Sequence, residues 1–232
     1  MKFTTLVADP DNPFRVQRSH LGKTMLAKSS SSCRAALILR PHRSAMLQEI
    51  LCDSWEEHEV ALCLAALPWV REIREQAVTV PYENGNGRQT RQRIDFLCRR
   101  SDGKLFAISV KYAAKARRPD YRAEIAALNR HLPPEVANRA MVLSREHFHP
   151  QHRANAQKIH MARRGWDPDA DRLVLDMARR QQEAFTLGAL LGATGLEEGR
   201  GWRAALRLVG DGDIRLEQME RIGECSICRV AA

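Results

Sequence analysis

The stretch RQRIDFLCRRSDGKLFAISVKY, residues 91–112, reads as two short apolar strands around a tight turn. Each strand carries one polar residue that a sheet core has no reason to bury, Asp95 in the first and Lys111 in the second. The turn decides where they point. A two-residue turn at Asp102-Gly103 would set Asp95 opposite Val110 and send Lys111 to the other side of the sheet. A three-residue loop, Ser101-Asp102-Gly103, closed by a glycine in the left-handed region, is the other common hairpin solution. It pairs Arg100 with Lys104 and puts Asp95 across from Ser109. Side chains on a strand alternate between faces, so Asp95, Ser109 and Lys111 then share one face. The opposite face carries Ile94, Phe96, Cys98, Ile108 and Val110.

An acid on one strand and a lysine on its neighbour is the layout of a metal-dependent phosphodiesterase centre. The carboxylate holds Mg²⁺, which polarises the scissile phosphate and lowers the pKa of an attacking water. The lysine steadies that water or the developing negative charge. A further carboxylate is expected from a preceding helix. In DSWEEHEVALCLAALPW, Asp53 or Ser54 can cap a helix that Pro68 ends. Residues 57, 60, 61, 64 and 67 fall on one stripe and read Glu, Val, Ala, Leu, Leu, so Glu57 heads the buried face. Two bland readings compete. Asp95 and Lys111 can form an internal ion pair, which is costly and a poor stabiliser, and Glu57 can close a capping box with Ser54.

Working outward, REIREQAVTVPY alternates as a strand and NGNG, residues 84–87, is a loop. RRPDYRAEIAALNRHL reads as a helix starting near Pro119, ANRAMVLS as a strand and HPQHRANAQKIHMAR as a helix. Mixed strands and helices around a central hairpin predict an α/β sandwich with a mixed sheet. From about residue 167 the chain reads as three helices followed by short strand-like pieces, the outline of a winged helix. The expected organisation is an irregular arm over 1–32, an α/β domain over 33–166 and a winged-helix domain over 167–232.

The bulk numbers agree with a globular, polyanion-binding protein. Of the 232 residues 44% are hydrophobic and the net charge is +9, which favours a nucleic-acid partner. No apolar run approaches the ~20 residues of a membrane helix, and the N-terminus has no secretory signal pattern, so a cytoplasmic, bacterial location is expected. The six cysteines are scattered as reduced thiols would be. Cys225-Ser-Ile-Cys228 has no second pair to complete a zinc site, and His147, His149 and His152 follow no ligand spacing. The arginines flanking the hairpin, Arg91, Arg93, Arg117 and Arg118 among them, suit phosphate contacts.

In order, these features resemble the TnsA-type endonuclease subunit of heteromeric transposases, within the PD-(D/E)xK restriction-endonuclease-like superfamily. Ser54-x-x-Glu57 opens the helix, VREIREQ (70–76) is similar to the family's "V…EQP" strand, Ile94-Asp95-Phe96 to its "PDF" and Ser109-Val110-Lys111 to its "EVK". TLGALLGATGL…WRAALRLVGDGDIRL is similar to the family's winged-helix second domain. The resemblance implies a restriction-endonuclease-like core with catalytic Glu57, Asp95 and Lys111. It implies Mg²⁺, with Mn²⁺ as a substitute, on Glu57, Asp95 and the Val110 carbonyl, and it places Gln76 near the site. It implies a nuclease that cuts the 5′ ends of a transposon, a DDE-type partner transposase that cuts and joins the 3′ ends, and an AAA+ ATPase regulator. Ser109 departs from the family, which has Glu or Gln there, and serine is a poor Mg²⁺ ligand. Glu124 on the following helix is the candidate replacement; otherwise the Val110 carbonyl and waters complete the shell. Two rivals remain: a stand-alone restriction or repair nuclease, and a degenerate nuclease fold kept for DNA binding or assembly.

Overall fold

The structure is a computed structural model that describes residues 7–19 and 35–231. The first sheet holds β1 (Val16–Gln17), β2 (Ala35–Leu39) and β3 (Leu47–Cys52) in the order β1-β3-β2. β2 and β3 are antiparallel, with Leu37 opposite Ile50, and β1 runs parallel to β3 with Val16 opposite Leu47. These strands had no sequence signature. Gln48 and Glu49 interrupt the apolar pattern of β3, and the basic flank of β2 reads as surface. In the fold Arg40 is buried, its guanidinium donating to the carbonyls of Ala45 (3.0 Å) and Pro13 (2.6 Å). So the described part of the expected irregular arm lies along a sheet. Residues 1–6 and 20–34, which include Cys33, Arg34 and the serine run, fall outside the described residues.

Ser54 caps α1 (Trp55–Ala65) by accepting from the Glu57 amide. A long hairpin follows, β4 (Val70–Glu83) and β5 (Gln89–Arg100), then β6 (Leu105–Val110), a short α2 (Ala113–Ala116), α3 (Pro119–His131) and β7 (Arg139–Leu143). The sheet order is β4-β5-β6-β7, antiparallel except for the parallel β6/β7 pair. This mixed sheet is the one expected. The β5–β6 register is also the expected one: Phe96 faces Ile108, Arg100 N donates to Lys104 O at 2.8 Å, and Gly103 takes φ +84°, the left-handed region that only glycine enters without cost.

One face of the sheet packs on α1 and α4 (Pro150–Arg164) through Phe96, Cys98, Ile108 and Val110. The other packs on α3, where Tyr121, Ile125 and Leu128 meet Val80, Leu97 and Ala107. Ile94, expected beside Phe96, belongs to this second cluster instead. The register of β4 slips between Glu75 and Val78, opposite this point of β5, and a bulge increases strand twist locally.

The first core continues without interruption into α5 (Pro168–Arg179), α6 (Leu187–Thr194) and α7 (Glu198–Asp211). Close packing of α4 on α7 needs Gly210, where a Cβ would sit 2.5 Å from Ile159 Cγ2. A small antiparallel sheet closes the chain in the order β8 (Phe185–Thr186), β10 (Ile227–Val230), β9 (Ile214–Leu216). A buried ion cluster ties these parts together. The carboxylate of Asp211 accepts from Arg163 at 2.6 Å and from Arg43 at 2.7 Å, and Arg163 also donates to Ala65 O. Among the described residues no helix is long and apolar enough to cross a membrane.

Candidate active site

The site arises where strands part. β5 and β6 stay paired from Arg100/Lys104 to Phe96/Ile108, and no ladder contact follows. β6 carries on alongside β7 to Val110/Leu143. The Val110 amide has therefore lost its partner on β5, and a buried N–H needs one. The carboxylate of Asp95 supplies it, Oδ2 accepting from Val110 N at 2.6 Å. On its other side β5 meets the bulge in β4. Gln76 there has φ +42°, unusual for a residue with a Cβ and of a kind that clusters at functional sites. Asp95 is thus 8% exposed and stands between a bulge and a strand departure.

Lys111 leans into the same opening. Its Nζ donates to the Val110 carbonyl at 2.8 Å and lies 3.5 Å from Asp95 Oδ2. The second distance is long for a hydrogen bond, so the amine and the acid are neighbours without being a closed pair. Glu57 arrives from α1. Its carboxylate accepts from Asp53 N at 2.8 Å and from the Ser54 hydroxyl at 3.1 Å, so Glu57 does reach back to the helix start, onto the Asp53 amide in place of the Ser54 amide that a capping box uses. Glu57 also senses the site. Burial pushes its carboxyl up, the Asp53 amide pulls it back, and the charge of Asp95 pushes it up again. Capping and active-site proximity therefore coexist in one residue.

Sequence reasoning treated Asp53 only as a possible helix cap. In the fold its Oδ2 accepts from Gln76 Nε2 at 2.7 Å and from Arg93 at 2.6 Å. It thereby joins the start of α1, the bulge and β5 beside Asp95. Only the tertiary meeting of three elements makes this visible. Gln76 is thus tied by Asp53 to Arg93, two residues before Asp95 on β5.

Ser109 is buried, and its hydroxyl accepts from Gln92 Nε2 at 3.3 Å. Glu124 lies on α3, which does begin at Pro119, but it is exposed and makes no hydrogen bond or ion pair with Asp95, Ser109 or Lys111. Of the four arginines, Arg91 is exposed on β5, while Arg93 pairs with Asp53, Arg117 with Glu146 at 2.7 Å and Arg118 with Asp120 at 2.6 Å. Exposed pairs of this kind are weak and exchange readily.

The remaining candidates resolve as structure. His149 caps α4 by accepting from Gln151 N, His147 bonds to Ser144, and His152 bonds to the Cys63 carbonyl at 2.9 Å. Cys225 and Cys228 are free thiols, the first exposed and the second buried.

The donors around Asp95 are hard oxygens: the Asp95 and Glu57 carboxylates and the Val110 carbonyl. Such a set suits Mg²⁺, which is commonly bound through one or two carboxylates and keeps several waters. Among the described residues no three His, Cys, Asp or Glu side chains close into a protein cage.

A mixed sheet between helices, with an acid and a lysine on adjacent strands where they part, fits a restriction-endonuclease-like core. Residues 67–168 match the family described as "TnsA-like endonuclease N terminal", and over that span the chain is similar to a TnsA-like endonuclease domain. The span takes in Gln76, Asp95, Ser109 and Lys111; Glu57 precedes it and the last three helices follow it. No curated protein matches the chain.

Proposed function

We propose that this protein is the Mg²⁺-dependent DNA endonuclease subunit of a heteromeric transposase, cleaving the 5′ ends of a transposon beside a DDE-type partner. The observation that carries the reading is the parting of β5 and β6. Within a TnsA-like domain, it gathers the Asp95 carboxylate, the Val110 carbonyl and the Lys111 ammonium at one opening.

Each residue has a defined task. Asp95, fixed by the Val110 amide, presents its remaining oxygen to the cleft. The Val110 carbonyl and Glu57 add the other protein oxygens, and Mn²⁺ substitutes for Mg²⁺. When bound, the cation supplies charge to the scissile phosphate and lowers the pKa of water. Lys111, three donors on a flexible stem, orients the nucleophilic water or neutralises the phosphate oxygens as charge builds there. Arg91 and Arg93 on β5 and Arg117 and Arg118 after Lys111 receive the DNA backbone, exchanging weak internal carboxylate partners for phosphates.

The three C-terminal helices and their small sheet constitute a winged-helix unit. Its α7 carries Glu198 near its start, where a base-reading helix is usually rich in Asn, Gln and Arg. This favours a protein partner, and an AAA+ regulator fits the role.

The test is Mn²⁺ calorimetry on the wild-type chain and Asp95→Ala, followed by nicking of a plasmid bearing the element ends with and without the partner transposase. Binding lost in the variant, and 5′ nicking that needs the partner, support the proposal. Strong cleavage by the chain alone would make it a stand-alone nuclease. No metal binding by either protein would make it an assembly subunit on a nuclease-derived fold.

A further inference from the structure

α6, LGALLGAT, carries no charged side chain. A helix that is apolar all round is normally covered all round, yet Ala189, Gly192 and Ala193 are exposed and Leu191 is half-buried. Gly188, Leu191 and Gly192 share one face of α6 at helical spacing. With Leu196, Gly201 and Trp202 they line a groove of about 350 Å³, within the ~300–1,000 Å³ range of ligand sites. Glycine is costly in a helix interior, and the fold itself explains three of the glycines here. Gly195 takes φ +67° at the helix end, a Cβ at Gly188 would sit 3.2 Å from Glu224 Cβ, and one at Gly201 would sit 3.3 Å from Leu191 Cδ2. Gly192 has no such reason: its φ is not positive, and a Cβ there would meet nothing within 4 Å. What this glycine keeps open is the groove. The charged residues on the groove's rim are Glu198, in the first turn of α7, and Glu224, between β9 and β10. Both are exposed, and neither has an ion pair or a side-chain hydrogen bond among the described residues, in a chain of net charge +9. Two free carboxylates repel a phosphate backbone and attract a cation.

Resting on the reading of these last helices as a protein-docking unit, we propose that the α6–α7 groove takes one cationic amphipathic helix of a partner protein. The apolar stripe of that helix seats against Trp202, Leu191 and Leu196, and its backbone comes close over Gly192. Lysines or arginines beside the stripe meet Glu198 and Glu224, which fix its register and direction. An uncharged helix with an exposed face, a glycine the fold does not require and two unpaired acids are then parts of one surface.

The probe is a fluorescent peptide of leucine and lysine, about four helical turns long, with its leucines at helical spacing; the control peptide has glutamate for every lysine. Each is titrated into the full chain and followed by anisotropy. Wild type is expected to bind the lysine peptide and not the glutamate one. Gly192→Leu fills the groove and is expected to weaken binding about tenfold or more, as loss of a central anchor does. Its Tm is expected to hold or rise, because leucine suits a helix better than glycine. Glu198→Gln combined with Glu224→Gln is expected to cost up to about tenfold, the worth of two exposed ion pairs, and to flatten the salt dependence. A wild type that binds neither peptide, or a Gly192→Leu variant that binds as wild type does, overturns the inference. A chain that dimerises, with the dimer broken by Gly192→Leu, gives the groove to a second copy and overturns it too. If nicking needs the partner transposase or regulator yet is unchanged in Gly192→Leu, docking lies elsewhere on the chain: the groove falls and the docking reading stands.

Discussion

Two groups of buried charge sit in this molecule, and they are finished differently. Around Asp211 the carboxylate is satisfied from within, although Arg163 Nε has no partner. Its oxygens meet Arg163 and Arg43 at ordinary hydrogen-bond distance, Asp211 and Arg163 are each almost wholly buried, and the partners come from the β2–β3 connection, α4 and α7. Around Asp95 the circle is open. Lys111 stands 3.5 Å off and is a quarter exposed, and Glu57 is occupied at its own helix end. The same residue types make a staple in one place and a prepared site in the other. The distinction is whether the protein itself supplies the last partner. Charges saturated internally stabilise only as a set, whereas incompletely satisfied ones signal a ligand.

If that contrast is right, substitutions at the two acids must act on different quantities. Asp211→Ala strands Arg163 in the core, and breaking a buried pair costs about 3–5 kcal/mol. Urea denaturation reads this directly; a loss below about 1 kcal/mol would mean the cluster is no staple. Asp95→Asn keeps an oxygen for the Val110 amide, so stability is expected to stay within about 1 kcal/mol of wild type. Mn²⁺ binding is expected to vanish, and nicking to fall by at least about a hundredfold, ~2.7 kcal/mol of barrier. A variant that nicks normally would remove Asp95 from the chemistry.

The closed group also carries a pH dependence. Burial, aided by Arg71, Arg163 and Arg43 against the pull of Asp211, lowers His42 to about 4; burial and Arg164 do the same to His160. Both are neutral in the fold and bind a proton near pH 6.5 once unfolded. The unfolded state takes up more protons, so stability is full above pH 6.5 and declines as pH falls towards 4. By pH 5 each histidine is expected to have cost roughly 2 kcal/mol. Glu57 and Asp171, raised by burial, have the opposite slope at lower pH. His160→Gln should flatten the acid limb of a Tm-against-pH curve; an unchanged curve would assign that limb elsewhere.

The smallest expected effect lies at the bulge. Gln76→Gly relieves a positive φ and is expected to add up to about 1 kcal/mol of stability. It also removes the bond to Asp53, so a gain in Tm should come with weaker nicking. A loss in both would mean that the hydrogen bond outweighs the backbone strain.

Much of the central hairpin was open to reading. Ser101-Asp102-Gly103 sets a three-residue loop, and period-two alternation then carries Asp95, Ser109 and Lys111 to one place. The capping box at Ser54 and Glu57, and the helices from Pro119 onward, are likewise local patterns. The exceptions are instructive. Ile94 changed clusters because a bulge in a neighbouring strand twists β5, and nothing within β5 encodes that. The β1–β3 sheet escaped notice because Glu49 and Arg40 look like surface residues in the sequence and find their partners elsewhere in the chain, Arg18 and Ser19 for the first and Pro13 and Ala45 for the second. Glu124 sits on the expected helix yet outside the site, since helical spacing cannot say how far a side chain stands from a sheet.

By itself, then, the sequence determined the central hairpin and the helices around it, the hairpin register and the acid–lysine placement, because these depend on neighbours a few residues apart. The tertiary structure alone decided that Asp53 joins the start of α1 to the bulge and to β5, and that Asp211 staples Arg43, 168 positions away. Those outcomes depend on which elements meet, and burial turns such meetings into chemistry by removing the water that would otherwise satisfy every polar group.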